Sequence, residues 1–190
     1  MLRWVQSRFE SLFATADGPS RRPVLSKHRE SNVAGLFIIG DLAGAPVIKL
    51  AMAQGHETIA HLAGLLRGKG DEGVLDVVIV GAGAAGLNAA LEAQQRGLSY
   101  VLLEQGRIAN TIENFPEGKW VYAEPDDSPA RGKLWLDGAR KEDLIRRWHE
   151  IVEQNRLDVR TAEPVTACRR DGSGFEITTP MAMKSMLKVP

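Results

Sequence analysis

Two short runs of apolar, β-branched residues dominate the hydrophobic pattern in the middle of the chain. The first occupies residues 76–80, of which Val77–Val80 are continuously apolar, and the second occupies residues 100–103. A run of this kind is typical of a strand that is buried on both faces in a parallel sheet. Residues 87–96, between the two runs, are rich in Ala, Leu, Gln and Glu and favour a helix. Strand, helix and strand in this order predict a βαβ unit of an α/β fold.

The hydrophobic period changes again after residue 140. Residues 140–155 predict an amphipathic helix, with one apolar face made of Leu144, Ile145, Trp148, Ile151 and Val152. Short strands are predicted at residues 157–161, 164–169 and 174–178. The sequence Asp-Gly-Ser-Gly before the last of these strands is a hairpin signal. We therefore expect a small β-meander after the helix.

The first 70 residues contain further predicted elements. Residues 2–13 carry apolar side chains at helical spacing, which we interpret as a helix that packs on its own domain, with a docking helix as the alternative. Residues 33–41 predict an apolar strand that ends in Gly40-Asp41. A helix is predicted over residues 47–66, with Pro46 suited to its first turn.

A Gly-Ala-Gly-Ala-Ala-Gly sequence directly follows the first apolar run. We expect Gly81 to make the tight turn, Gly83 to let the backbone approach a pyrophosphate, and Gly86 to let the helix pack closely on the strand. Ala84 and Ala85 fall at the start of this helix, where free N–H groups and the helix dipole favour negative charge. The motif is weak alone, but its position between a strand and a helix makes it a strong prediction of a dinucleotide site.

An acidic residue ends the second strand. Glu104, followed by Gln105, lies roughly 20 residues beyond the first glycine, where a carboxylate is placed to accept hydrogen bonds from a ribose diol. The same carboxylate would repel the 2′-phosphate of NADP. The alternative is a glycine-rich turn in an ordinary βαβ unit.

Composition excludes several classes of protein. Acidic and basic residues balance at 24 each, so no net field attracts nucleic acid or an anionic membrane. No apolar run approaches the length that spans a bilayer, and Arg8 and Glu10 interrupt the apolar core that a secretory signal needs. The single cysteine, Cys168, cannot form an internal disulfide. We expect a cytoplasmic protein whose Cys168 is inert.

Residues 56–61 resemble a zinc motif with one residue too many. A separation of five places His56 and His61 about 140° apart on a helix, so the two side chains do not share a metal ion. No other group of His, Cys or carboxylate residues has the spacing of metal ligands, and we predict no metal site.

The Gly-Asp strand resembles the carboxy-terminal FAD motif of the thioredoxin-reductase-like pyridine nucleotide–disulfide oxidoreductases. In that family the aspartate binds the ribityl or diphosphate part of FAD, which implies this role for Asp41, next to Gly40. The resemblance also implies that the following helix directs its N-terminus at the flavin, with Lys49 stabilising negative charge on the reduced ring. An Asn-Phe-Pro element resembles the flavin-facing loop of the family and implies that Asn114 and Pro116 lie near the flavin. Without the resemblance, Asp41 is an N-cap candidate and the Asn-Phe-Pro element is a Pro-bounded turn.

The two motifs occur in an unusual order, because the Gly-Asp strand precedes the glycine motif. Either the fold is permuted, so that residues 33–41 join the same parallel sheet as Val77–Val80, or residues 1–70 end a different module. We favour permutation. Residues 1–70 then complete the FAD fold with an N-terminal helix and the Gly-Asp strand–helix segment, and residues 71–178 form the Rossmann core. We expect residues 179–190 to be an irregular tail and the chain to be a truncated form of a longer protein.

The predicted fold is an α/β, Rossmann-like FAD/NAD(P)-binding fold with a parallel sheet, helices on both faces and a small β-meander. The resemblance implies FAD as cofactor, with NAD(P)H as the electron donor of the full-length form and an unknown small-molecule or protein acceptor. The chain has no C-x-x-C sequence and no second G-x-G-x-x-G, so we expect it to be incomplete for catalysis, and we assign no catalytic residue.

Two alternative functions stay open. One is an NAD-binding Rossmann module without flavin, against which the Gly-Asp strand and the Asn-Phe-Pro loop speak. The other is a non-catalytic nucleotide-binding interaction module that docks through residues 2–13.

His149 is interpreted as a solvated helix residue. The sequence indicates no nucleic-acid or membrane partner and is compatible with a homodimer.

Overall fold

The computed structural model describes residues 23–66, 73–127, 129–172 and 174–181, together with the backbone of residues 185–188. The helix predicted over residues 2–13 lies outside the described residues. Four α-helices are present in the described ranges: α1 (Ile48–Leu65), α2 (Ala84–Gln95), α3 (Asn110–Glu113) and α4 (Lys141–Asn155). The strands are β1 (Val74–Leu75), β2 (Val77–Val80), β3 (Tyr100–Leu103), β4 (Trp120–Val121), β5 (Ala139–Arg140), β6 (Val159–Arg160), β7 (Ala167–Asp171), β8 (Gly174–Thr178) and β9 (Ser185–Lys188).

A parallel sheet of three strands, in the order β2-β3-β6, lies at the centre of the fold. β2 and β3 pair over four residues, from Val77 opposite Tyr100 to Val80 opposite Leu103. A second sheet of four strands has the order β1-β9-β8-β7, and β4 pairs with β5 in a two-stranded ribbon. The predicted βαβ unit and the hairpin of β7 and β8 are both present.

The two faces of the parallel sheet are covered by different layers. Val77, Ile79 and Leu102 belong to the large apolar core that they share with α1, α2 and α4. On the opposite face, Val101 and Leu103 pack with Phe175 and Ile177 of β8. The α/β Rossmann-like fold is thus as predicted, but in the described residues the meander covers the face where helices were also expected, since its own apolar side chains fill that layer.

The expectation of an irregular tail is wrong for residues 185–188. β9 pairs antiparallel with β8 and parallel with β1, so that its backbone lies between them in the second sheet. The reason is that a hairpin such as β7–β8 leaves one strand edge with unpaired N–H and C=O groups, and a following segment satisfies them by adding to the sheet. The meander therefore continues beyond residue 178.

The Gly-Asp segment also differs from the prediction. We call residues 23–47 the Gly-Asp arm. In place of a parallel strand over residues 33–41, the arm has one antiparallel bridge, between Glu30 and Phe37. Its backbone groups are engaged locally, because Ser31 N–H donates to Leu36 and Ile38 N–H donates to Arg29. The described part of the arm does not extend the parallel sheet, so this form of the permutation is wrong.

The arm is followed by α1, which crosses α2 closely. A Cβ atom added to Gly55 would lie 2.1 Å from the carbonyl oxygen of Ala85 and 3.1 Å from the nitrogen of Ala89. Asn88 is fully buried at the same crossing, where its amide donates to the carbonyl oxygen of Met52 at 2.8 Å. Gly55 therefore allows the two helices to lie close together. Residues 40–47, which directly precede α1, are thereby placed beside the start of α2.

Candidate dinucleotide site

The three glycines of the motif have three different surroundings. Gly81 begins the loop after β2 with φ +99°, a conformation that favours glycine, and its N–H donates to Leu103 at 2.8 Å. A Cβ atom on Gly86 would lie 1.9 Å from the Gly81 carbonyl oxygen, so only glycine allows α2 to pack this closely. At Gly81 and at Gly83, by contrast, an added Cβ atom would meet no other atom within 4 Å. Gly81 is thus constrained by its backbone conformation and Gly86 by helix packing, whereas the position of Gly83 is open.

The open position coincides with the N-terminus of α2. Gly83 is the N-cap of the helix, and the N–H of Leu87 makes a helical bond to its carbonyl at 2.9 Å. The N–H groups of the first turn, including those of Ala84 and Ala85, precede this bond and point out of the helix end. An anion at Gly83 would meet these donors and the positive end of the helix dipole.

Glu104 lies beside the loop rather than out in solvent. Its carboxylate is 8% exposed and accepts hydrogen bonds from the N–H groups of Ala82 and Gly106, each at 2.7 Å. A carboxylate offers about four acceptor positions, so about two remain. Glu104 therefore fixes the glycine loop and keeps capacity for hydroxyl donors of a ligand.

A cavity of about 210 Å³ opens at this edge of the sheet. It lies beyond the carboxyl ends of β2 and β3, where ligands bind in doubly wound α/β folds. Gln105, which is exposed, and Val165 from the segment after β6 form part of its wall. The lining residues are Val80, Gly81, Leu103, Glu104, Gln105 and Val165.

The structure brings the Gly-Asp turn next to the glycine loop. Gly40 is buried with φ +78°, and a Cβ atom on it would lie 3.3 Å from the Ala85 Cβ. Its N–H donates to the side chain of Gln54 on α1 at 2.7 Å. Asp41 starts a 3₁₀ turn, Asp41–Ala43, and its side chain is exposed. Two motifs separated by 40 residues thus meet at one helix end, although they do not share a sheet.

Lys49 has a hydrogen-bond partner within the protein. It is 8% exposed in the first turn of α1, and its ammonium donates to the carbonyl oxygen of Pro125 at 2.7 Å. The charge is therefore engaged in tying the segment of residues 120–127 to α1. Its contact with a flavin stays a prediction, and the structure gives the side chain a bridging role.

The loop that contains Asn114 and Pro116 is tied to the glycine loop at one end. Ala109 N–H donates to the Ala82 carbonyl at 2.9 Å, and α3 follows. Asn114 and Pro116 are both exposed at the far end of this loop. Lys141 holds that end, because its ammonium donates to the carbonyls of Glu113 and Phe115.

Sequence reasoning missed several residues around the site. Lys141 had a visible signal, since a lysine in the first turn of a helix opposes the helix dipole and so suggests a separate role. Asn88 had a weaker one, as a polar residue in an otherwise apolar helix face. Its amide donates to Arg131 at 2.7 Å and its carbonyl accepts from Leu134 at 3.1 Å. Val165 had no signal, because only tertiary packing brings it to the cavity.

Cys168 and His149 lie apart from these elements. Cys168 is an exposed residue on β7, and partial desolvation of its thiol raises the pKa, which disfavours the reactive thiolate. His149 is exposed on α4. Over the described residues, no group of three or more His, Cys, Asp or Glu side chains is arranged to hold a metal ion. Among those same residues, no helix is long and apolar enough to cross a membrane.

These residues fit a bound dinucleotide. The open Gly83 backbone, the helix N-terminus, the free acceptor positions of Glu104 and the neighbouring cavity form one continuous edge. Comparison with known families then decides the class: residues 78–185 match the family model described as pyridine nucleotide-disulphide oxidoreductase, over more than half of the chain. The chain belongs to this family. The family predicted from the glycine and Gly-Asp motifs is confirmed.

Individual relatives cover smaller parts of the chain. A vinyl phenol reductase of Lactiplantibacillus plantarum is 56% identical over 43 residues, which is 23% of this chain and 9% of that protein. A flavin-containing monooxygenase from Stenotrophomonas maltophilia has the same fold with a TM-score of 0.50 at 16% identity, over 60% of this chain and 36% of that chain. A bacillithiol disulfide reductase from Staphylococcus aureus gives a TM-score of 0.49 at 23% identity, over the same shares. The chain thus matches about a third of each solved structure.

Proposed function

We propose that this chain is the FAD-binding part of a thioredoxin-reductase-like flavoprotein oxidoreductase. The longer protein would pass electrons from NAD(P)H through the flavin to a small-molecule or protein acceptor. Membership of the pyridine nucleotide-disulphide oxidoreductase family supports the oxidoreductase class. The nicotinamide donor and the acceptor belong to the proposal, because the matches cover only part of the relatives.

One observation supports FAD over a nicotinamide dinucleotide at this site. The Gly40–Asp41 turn lies against Ala85 at the N-terminus of α2, where a Cβ atom on Gly40 would be 3.3 Å from the Ala85 Cβ. A plain NAD-binding module needs the glycine loop and the acidic residue but has no use for a second loop here. FAD is longer on the far side of its pyrophosphate, and an exposed carboxylate is suited to its ribityl hydroxyls.

The residues take distinct roles in this proposal. The N–H groups at the start of α2 bind the pyrophosphate, and Gly83 leaves room for it. The two remaining acceptor positions of Glu104 bind the ribose hydroxyls, with the adenosine in the adjoining cavity. Asp41 binds the ribityl or diphosphate portion. When bound, the flavin supplies the chemistry of hydride and single-electron transfer, while the protein supplies binding and orientation.

The first experiment is a visible absorbance spectrum of the purified protein, after incubation with FAD and removal of the excess. We expect the two visible bands of oxidised flavin to stay with the protein. Asp41→Ala should raise the FAD dissociation constant by about tenfold, because a hydrogen bond to a charged group contributes about 1.5–3 kcal/mol. Asp171→Ala is the matched control, since Asp171 is an exposed residue at the end of β7, and should bind as the wild type does.

Three results would contradict the proposal. Equal retention of flavin by the wild type and by Asp41→Ala would mean that the Gly-Asp turn is not part of the site. A protein that binds NAD but no flavin would favour the plain Rossmann module. A protein that binds neither dinucleotide would leave the chain without the proposed cofactor.

A further inference from the structure

Two buried polar side chains lie next to the site without a role in the binding scheme above. Glu163 is 6% exposed and Thr179 is 4% exposed. The hydroxyl of Thr179 donates to Oε1 of Glu163 at 2.8 Å. Burial of a carboxylate is costly unless hydrogen bonds compensate it, so a pair of this kind needs an explanation.

The backbone around Glu163 holds the turn that contains Glu104. Glu104 N–H donates to Arg160 at 2.8 Å, and Glu163 N–H donates back to the Glu104 carbonyl at 2.9 Å. Ala162, with φ +54°, reverses the chain between these two contacts, and its N–H donates to Gly106 at 3.0 Å. Three backbone hydrogen bonds therefore fix both ends of the Glu104–Gly106 turn to one short segment.

Thr179 connects that segment to a rigid layer. It directly follows β8, whose Phe175 and Ile177 pack against Val101 and Leu103 of β3. The hydrogen bond from Thr179 to Glu163 thus fastens the 160–163 segment to the second sheet. A side chain anchored in this way has little freedom to move away from the turn.

The residues that directly follow this segment form part of the cavity wall. Val165, two residues after Glu163, lines the cavity together with Glu104 and Gln105. A shift of the segment would therefore change the orientation of the Glu104 carboxylate and the shape of the cavity together.

We infer that Glu163 and Thr179 are a positioning pair that orients the Glu104 turn for the adenosine half of a bound dinucleotide. The inference rests on the proposed dinucleotide function. Neither residue is expected to touch the ligand. Loss of the hydrogen bond between them should weaken affinity for the adenosine half of the ligand, which contacts Glu104 and Val165.

The test compares three variants by calorimetric titration with ADP and with FAD. Thr179→Val removes the hydroxyl but keeps the branched shape, and should raise both dissociation constants by about fivefold, the effect of one hydrogen bond. Glu163→Gln keeps an acceptor for Thr179, so this variant should bind both ligands with dissociation constants within about twofold of the wild type. Thr166→Val is the matched control, because the exposed Thr166 hydroxyl donates to the Thr178 carbonyl and not to Glu163.

A second readout separates positioning from general loss of stability. Hydrogen exchange at the amides of Ala82 and Gly106 reports the two bonds that Glu104 accepts. Thr179→Val should speed exchange at these two amides more than at the amides of β8 or α2. Uniform acceleration throughout the protein would mean a structural role only and would overturn the inference.

The binding outcomes distinguish this inference from the proposed function. If the wild type binds ADP but not FAD, and Thr179→Val weakens ADP, the positioning pair stands and the flavin function fails. If the wild type binds both ligands and Thr179→Val equals the Thr166→Val control, the positioning role fails and the flavin function stands. If the wild type binds neither ligand, both are overturned.

Discussion

The glycine loop and the Gly-Asp arm begin from similar sequence patterns and end in different structures. In each, an apolar stretch runs into a glycine. Val77–Val80 pairs with β3 along its whole length, and the loop that follows is held by the sheet. The arm instead folds back on itself through the Glu30–Phe37 bridge.

Different contacts hold these two regions in place. The loop is fixed by backbone bonds and by Glu104, inside the core of the fold. The arm packs Phe37 and Ile39 against the large core, and polar side chains tie it to α1: Arg29 pairs with Glu57 at 2.5 Å, and the rings of His28 and His61 stack with centroids 3.8 Å apart. A region tied to the central sheet by backbone hydrogen bonds opens only with global unfolding, whereas a region with no strand in that sheet opens at lower free energy. Substitutions in the loop should therefore cost global stability, and changes in the arm should act locally.

The largest expected effect comes from substitutions at two glycines of the motif, Gly86 and Gly83. Gly86→Ala places a methyl group 1.9 Å from the Gly81 carbonyl, and we expect it to lower the free energy of unfolding by about 3 kcal/mol, as overpacking against a fixed backbone does. Gly83→Ala meets open space and should cost about 1 kcal/mol or less. If the proposed function holds, Gly83→Ala should nevertheless weaken FAD binding by at least about tenfold, because the methyl group occupies the approach of the pyrophosphate.

Urea denaturation and FAD titration of both variants check this prediction. Gly86→Ala should mainly lower the free energy of unfolding, and Gly83→Ala should mainly weaken FAD binding. Equal loss of stability in both variants would mean that Gly83 lacks the open surroundings seen in the structure.

The second prediction concerns the junction of the two regions. Gly55→Ala places a methyl group 2.1 Å from the Ala85 carbonyl oxygen, and the resulting separation of α1 from α2 should cost about 2 kcal/mol. Gly64→Ala is the matched control on the same helix, where a Cβ atom meets nothing within 4 Å. It should stabilise the protein by about 0.5–1 kcal/mol, because alanine favours the helix.

Thermal unfolding of the two variants gives opposite signs if α1 crosses α2 as described. A stabilising Gly55→Ala would instead show that the two helices do not approach closely. In that case the arm and the glycine loop would not meet at Ala85, and the proposed FAD site would lose its second half.

The same contrast explains which parts of the fold were predictable. β2, β3, α2, α4 and β8 follow local patterns, and their predicted and observed limits agree within a few residues. β9 depends in part on pairing with the distant β1, which a local pattern does not report. Residues 33–41 have the composition of a strand, but their backbone groups bond within the arm, where Ile38 N–H donates to the Arg29 carbonyl and the Leu36 carbonyl accepts from Ser31 N–H.

The candidate site divides in the same way. Gly81, Gly83, Gly86 and Glu104 lie in one local motif, and the structure places them at one edge of the sheet. Glu163 and Val165 reach that edge because they follow β6, which pairs parallel with β3. The hydrogen bond from Lys49 to Pro125 likewise joins segments 76 residues apart, so a local pattern did not predict it.

The smallest expected effect is a pH dependence confined to the arm. Burial, the neighbouring His61 and the nearby Lys27 and Arg29 lower the pKa of His28 from its usual 6.5. Glu57 lies one turn before His61 on α1 and is paired with Arg29 and with Arg131. Because the folded arm disfavours protonated His28, the unfolded arm binds more protons below pH 6.5. The stability of the arm should therefore fall as the pH drops below this value.

Hydrogen exchange at about pH 7.5 and about pH 5.5, corrected for intrinsic rates, measures this effect. The Ile38 amide, which donates to Arg29, should lose protection at the lower pH, while the Gly81 amide in the glycine loop should keep its protection. His28→Asn should abolish the difference at Ile38, and His149→Asn, on the exposed face of α4, should leave it intact. Equal loss of protection at Ile38 and Gly81 would mean that the arm and the loop open together, and the distinction between a loop tied to the central sheet and an arm without a strand in that sheet would be wrong.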